Sequence, residues 1–148
     1  MNRRKKRLIR MNESFLDAYI KIDVICCDKF GVASGGATEY INRLINARFA
    51  PGRDEVVARL VKYRNIRNRI AHEEGALDNI KEINKLDLRW LDSFKRDLNK
   101  KKDPISVYLR KARSFVKRRR ARRIFFSTLS IILTLAAAAA AAYFFLIK

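Results

Sequence analysis

The stretch Glu55–Gly75, EVVARLVKYRNIRNRIAHEEG, decides the fold class. Its apolar residues Val56, Leu60, Tyr63, Ile66 and Ile70 recur every three or four positions, which is one face of an α-helix. Asp54 and Glu55 sit in its first turn, where acidic groups favour the helix dipole. Gly75 interrupts it. The rest of the stretch is densely polar. Arg64, Arg67, Asn68, Arg69 and His72, the single histidine of the chain, lie away from the apolar stripe or at its edge.

The same period runs outward in both directions. Phe15, Tyr19, Ile22, Cys26 and Phe30 form a helical stripe, and Gly31–Gly36 (GVASGG) ends it. Thr38 is placed to cap a short second helix carrying Tyr40, Ile41, Leu44 and Ile45. Ala50–Gly52 (APG) breaks the chain before the helix quoted above. Beyond Gly75, a fourth helix carries Ile83, Leu86, Trp90, Phe94 and Leu98. Asp103 caps a fifth and Pro104 opens it, with Ile105, Leu109, Ala112 and Val116 as its stripe. Sustained period-two alternation is absent, so the expected fold class is all-α, a small bundle of about five helices. The chain holds no internal repeat, no glycine-rich phosphate loop, no carboxylate pair at metal-ligand spacing and no serine nucleophile motif. No metal and no cofactor are expected.

Charge divides the 148 residues further. Lys and Arg number 34 against 15 Asp and Glu, a net charge of +19. Residues 3–10 (RRKKRLIR) hold six positive charges and no negative one, and residues 110–123 (RKARSFVKRRRARR) hold nine and none. The middle is close to balanced, and the basic ends suit anionic partners. Residues 124–147 carry no charge, and a helix of that length spans about 36 Å against a hydrocarbon core of about 30 Å. The expected organisation is a basic N-terminal arm (1–10), a helical bundle (11–116), a basic juxtamembrane segment (117–123) and a transmembrane helix (124–147). The basic segment would face anionic lipid and keep the N-terminal domain in the cytoplasm, with the C-terminus outside, as a tail-anchored, single-pass protein. Ala136–Ala142 would serve either as filler or as a close-packing surface for a second span. The N-terminus lacks the apolar run of a signal peptide. Cys26 and Cys27 are adjacent, cannot readily bridge each other, and read as reduced packing residues.

The polar residues of Glu55–Gly75 suggest chemistry. A histidine exchanges protons near cell pH, and arginine presents a planar fork that fits phosphate. A base that takes the 2′-OH proton and a cation that stabilises the charged phosphorus suffice for metal-free RNA cleavage. The other reading of the same residues is a solvated helix end, with His72 favouring the helix dipole. Arg67 and His72 are five positions apart, about 140° around a straight helix, so one helix alone does not clasp a ligand between them.

Arg67–His72, RNRIAH, resembles the signature of the HEPN superfamily: an arginine, a polar neighbour, then a histidine after four to six intervening residues. The resemblance implies a small helical bundle and, in many members, a metal-independent endoribonuclease. It also implies a homodimer whose two copies complete one cleft. It makes Arg67, Asn68 and His72 the catalytic residues. Arg64 and Arg69 have no place in the signature and are candidate phosphate contacts. The expected substrate is RNA, in a toxin, stress or antiviral defence role, with a protein antitoxin or regulator as a further partner. Glu74 stands where nucleotidyltransferase-paired members carry tyrosine, which speaks against that kind of partner. The alternative is a non-catalytic, membrane-tethered adaptor or dimerisation module of the same fold.

Overall fold

The computed structural model describes residues 3–146, and of these the side chains of 138–141 and 144–146 are left aside. Six helices follow in order: α1 (Arg3–Phe30), α2 (Gly36–Asn46), α3 (Arg53–His72), α4 (Ala76–Asn79), α5 (Lys85–Asn99) and α6 (Pro104–Leu146). The chain divides at Tyr108/Leu109 into two compact units.

In the first unit α1 is the central element, packed against α2, α3, α4 and α5. Its predicted stripe is the buried one: Phe15, Tyr19, Ile22 and Cys26 are shut from solvent. From α3 come Leu60, Tyr63 and Ile66. A chain of aromatic rings connects these helices. Phe15 meets Tyr63 at 5.7 Å, Tyr63 meets Trp90 at 5.6 Å, Trp90 stacks on Phe94 at 5.0 Å, and Phe94 meets Tyr40 edge-on at 5.4 Å. Each such pair adds about 0.5–1.5 kcal/mol beyond the area it buries. The chain of rings ties α1, α3, α5 and α2 into one core.

Three buried polar residues fix what the apolar surface leaves free. Asn12 on α1 donates to the carbonyls of Leu77 and Ile80, each at 2.9 Å, and so holds α4 and the segment after it. Asp87 accepts from the Tyr63 hydroxyl at 2.8 Å and the Lys62 ammonium at 3.2 Å. Asp103, fully buried, accepts from Lys29 at 2.7 Å, from the Tyr40 hydroxyl at 2.8 Å and from the Ser106 amide at 3.2 Å. That last bond is the cap expected at the start of the helix opened by Pro104.

Several expectations differ in detail. Residues 3–10 are the first turns of α1 and not a separate arm, and Lys5 pairs with Asp78. Thr38 does not cap α2. That helix starts at Gly36 behind Gly35, whose φ of 69° is left-handed. A Cβ on Gly36 would lie 2.3 Å from the Asp23 carbonyl oxygen and from the Cys27 amide nitrogen, so only glycine lets α2 begin directly on α1. The Asp23 carboxylate takes over the cap, accepting from the Ala37 amide at 2.8 Å. The expected fourth helix is two. Asn84 forms a capping box with Asp87, which starts α5 at Lys85. Ile83 is buried from the extended segment before it, Leu91 enters the core, and Leu86 faces solvent.

In the second unit the principal correction concerns the membrane. Among the described residues, no helix is long and apolar enough to cross a membrane. The transmembrane helix expected over 124–147 is therefore not supported. The tail-anchored, single-pass topology and the localisation drawn from it fall with it. The uncharged run begins at Ile124, within α6. The basic residues of 110–123 precede it on the same helix. The orienting role given to Lys117–Arg123 rested on that span. Much of the alanine run, on which a close-packing surface was expected, lies outside the described residues.

Candidate functional site

Helix α3 distributes its cations unequally. Arg59 pairs with Glu55 at 3.1 Å and Lys62 with Asp87 at 3.2 Å. Arg69 is held by Glu82 across the turn and by Glu73 at 3.5 Å. Among the described residues, no carboxylate forms an ion pair with Arg64 or Arg67. Arg67 makes one long bond, donating to the Asn68 side-chain oxygen at 3.3 Å. Positions 64, 67 and 68 are three and four apart, so they share one face of the helix.

That face looks into a cleft of about 500 Å³. Arg64, Arg67 and Asn68 form its α3 wall. Tyr19, Ile20 and Asp23 of α1 form the opposite wall, and Ser34, Gly35 and Thr38 close it from the α1–α2 connection and the start of α2. The arrangement follows from local packing. The stripe Leu60, Tyr63 and Ile66 buries the inner face of α3. This turns the residues one position beyond Tyr63 and Ile66, namely Arg64 and Arg67, onto the flank that borders α1. The cleft is electrically two-sided, with two guanidinium groups against one carboxylate. Burial pushes the Tyr19 hydroxyl up to about 12, with Asp23 adding to the shift and Arg67 and Arg64 opposing it. Tyr19 therefore stays protonated, a neutral donor at cell pH.

The sequence-predicted residues separate into three groups. Arg67 and Asn68 are together in the cleft, and Arg64 joins them on its wall. Arg69 lies elsewhere, its guanidinium engaged by two glutamates. His72 is the last residue of α3, exposed, and outside the residues that line the cleft. It follows Asn68 by one helical turn, and α3 runs unbroken to it, so the separation of about 140° from Arg67 persists in the fold. Periodicity had no signal for the α1 wall. Tyr19 reads as a core residue because most of its ring is one, and Asp23 and Thr38 gain their place only when α2 folds back on α1.

Among the described residues, no group of three or more His, Cys, Asp and Glu side chains is arranged to hold a metal ion. Comparison with curated proteins and with solved structures finds no match. A family profile does match, over residues 13–135, which takes in the whole cleft and all five predicted site residues. The chain belongs to that family, DUF6548, a family of unknown function.

Proposed function

We propose that the protein is a metal-independent endoribonuclease whose working form is a homodimer, with Arg67, Asn68 and His72 as its catalytic residues and Arg64 as a phosphate contact. The observation that carries this reading is the pair of guanidinium groups, Arg64 and Arg67, on the wall of a cleft and in no ion pair among the described residues, while the neighbouring cations Arg59, Lys62 and Arg69 of α3 are engaged. Together with the HEPN-like signature at 67–72, it gives a phosphate-binding wall and a histidine one turn away.

The reaction is an internal transesterification. His72 takes the proton of the ribose 2′-OH, and the 2′-oxygen bonds to phosphorus. The bond from phosphorus to the 5′-oxygen breaks, and that oxygen receives a proton, leaving a 2′,3′-cyclic phosphate and a 5′-hydroxyl. Arg67 and Arg64 hold the phosphate oxygens as charge builds on them. Because His72 stands outside the cleft of its own chain, a second copy brought up by two-fold symmetry supplies the histidine opposite Arg67.

The test is incubation of the full-length protein with RNA in EDTA. His72→Ala is expected to lower cleavage about 10²–10⁴-fold. Wild-type cleavage no greater than that of His72→Ala, across several RNAs, refutes the reading. The position of His72 favours a second reading, a non-catalytic module that binds RNA in the cleft without cutting it. RNA retained by the wild type, lost on Arg67→Ala and never cleaved, would establish that instead.

A further inference from the structure

The cleft holds a group that phosphate binding does not call for. Asp23 places a carboxylate in the same cavity as Arg64 and Arg67. A site for bare phosphate gains nothing from a negative wall. A site for a ligand with an anion at one end and N–H donors at the other requires one. Among the nucleotides of RNA that description selects by base. Guanine presents two adjacent donors, N1–H and the 2-amino group, to a carboxylate. Uracil presents one donor between two carbonyl oxygens, and adenine and cytosine each set an amino group beside an acceptor nitrogen.

We propose that Asp23 is a specificity-determining residue that reads guanine, so that the cleft seats one guanine nucleotide with its phosphate on Arg64 and Arg67 and its base edge on Asp23. The inference rests on the ribonucleotide reading of the same cleft and goes beyond it in naming the base.

The geometry prepares Asp23 for this role. Its Oδ1 accepts from the Ala37 amide at 2.8 Å, which fixes the side chain at the start of α2. An ionised carboxylate has about four acceptor positions, so most remain for a base. The cap also places the carboxylate at the start of an eleven-residue helix. Ile20 and the Tyr19 ring give an apolar surface beside it, and Thr38 and Ser34 add hydroxyl groups. A volume of about 500 Å³ falls within the range of about 300–1,000 Å³ usual for small-ligand sites.

The experiment is titration of the full-length protein with guanosine, inosine and uridine 3′-monophosphates. Guanosine monophosphate is expected to bind at least about fivefold more tightly than uridine monophosphate, the low end for a two-bond base contact. Inosine monophosphate, which lacks only the 2-amino group, is expected to lose most of that advantage. Asp23→Asn keeps an oxygen for the Ala37 amide and so keeps the seat of α2, yet it replaces an acceptor with a donor, and it should abolish the preference. Equal binding of the guanosine and inosine forms by the wild type overturns the proposal, and so does an unchanged preference in a folded Asp23→Asn. RNA cleavage on the same preparation separates the two readings. Cleavage without guanine preference removes the role of Asp23 and leaves the ribonuclease. Asp23-dependent guanine binding without cleavage removes the ribonuclease and leaves Asp23.

Discussion

Asp103→Ala tests the account of the fold at its most concentrated point. The carboxylate is fully buried and receives three hydrogen bonds, from Lys29, Tyr40 and the Ser106 amide. Its removal leaves the Tyr40 hydroxyl buried without an acceptor, a loss of about 1–3 kcal/mol. It removes the cap of α6, worth about 1 kcal/mol. It also takes the carboxylate partner from the Lys29 ammonium, which keeps its bond to the Ser106 hydroxyl at 2.9 Å. Breaking a fully buried pair costs about 3–5 kcal/mol, but the Lys29 side chain retains 20% exposure and recovers part of that through water. A net loss of about 3–5 kcal/mol follows, a large share of the roughly 5–15 kcal/mol that holds a domain folded. Urea unfolding followed by the fluorescence of Trp90, the only tryptophan, reads the bundle directly. At an m-value of about 1.5 kcal/mol/M the midpoint should fall by about 2–3 M. Asp103→Asn retains an acceptor for Tyr40 and for the cap, and it should lose less than half as much. A midpoint shift below about 0.5 M for Asp103→Ala, at unchanged m, refutes the claim that this network fastens α1, α2 and the start of α6.

Other consequences are as direct. Arg69→Ala should change RNA cleavage by less than about threefold, because Glu82 and Glu73 already hold its guanidinium, whereas Arg67→Ala should lower it about 10²–10³-fold. Gly36→Ala should destabilise the bundle by about 3 kcal/mol, seen as a lowered Tm, since its Cβ meets α1 backbone atoms at 2.3 Å. Stability should fall in acid. Burial alone would raise the carboxyls of Asp103 and Asp87. Hydrogen bonds from Lys29, Ser106 and Tyr40 to the first, and from Asn84, Tyr63 and Lys62 to the second, outweigh it and hold both below the ordinary value of 3.8. Their contribution is complete above that value and is lost as the pH drops below it toward their folded-state values. Urea midpoints measured from pH 6 down to pH 2 should therefore decline below about pH 4, and less steeply in Asp103→Asn.

The site was legible where local pattern governs and not where it depends on a second element. The stripe on α3 determines which face turns inward, and so Arg64, Arg67 and Asn68 were bound to share an outer flank. Nothing in that helix says that Arg69, one position further round, meets Glu82, because that partner arrives only after the chain has turned through Gly75 and α4. Asp23 and Tyr19 carry no site signal in α1. They become a wall because Gly36 allows α2 to start against the α1 backbone. The C-terminal run shows the opposite failure. The uncharged length of 124–147 and its basic flank point to a span, whereas among the described residues no helix is long and apolar enough to cross a membrane.

The sequence by itself determined the all-α class, the stripes of α1 and α3, the breaks at Gly31–Gly36, Ala50–Gly52 and Gly75, and the Asp103–Pro104 start of α6. These are decided by residues within a turn of one another. Only the tertiary structure decided which cations of α3 enter ion pairs among the described residues, that Asp23 lines the same cleft as Arg64 and Arg67, and that His72 stands outside it. Pairing of charges and closure of a cavity depend on distances between helices. Those distances are set by core packing and by buried bonds such as Asn12 to Ile80 and Tyr40 to Asp103, which join residues more than sixty positions apart.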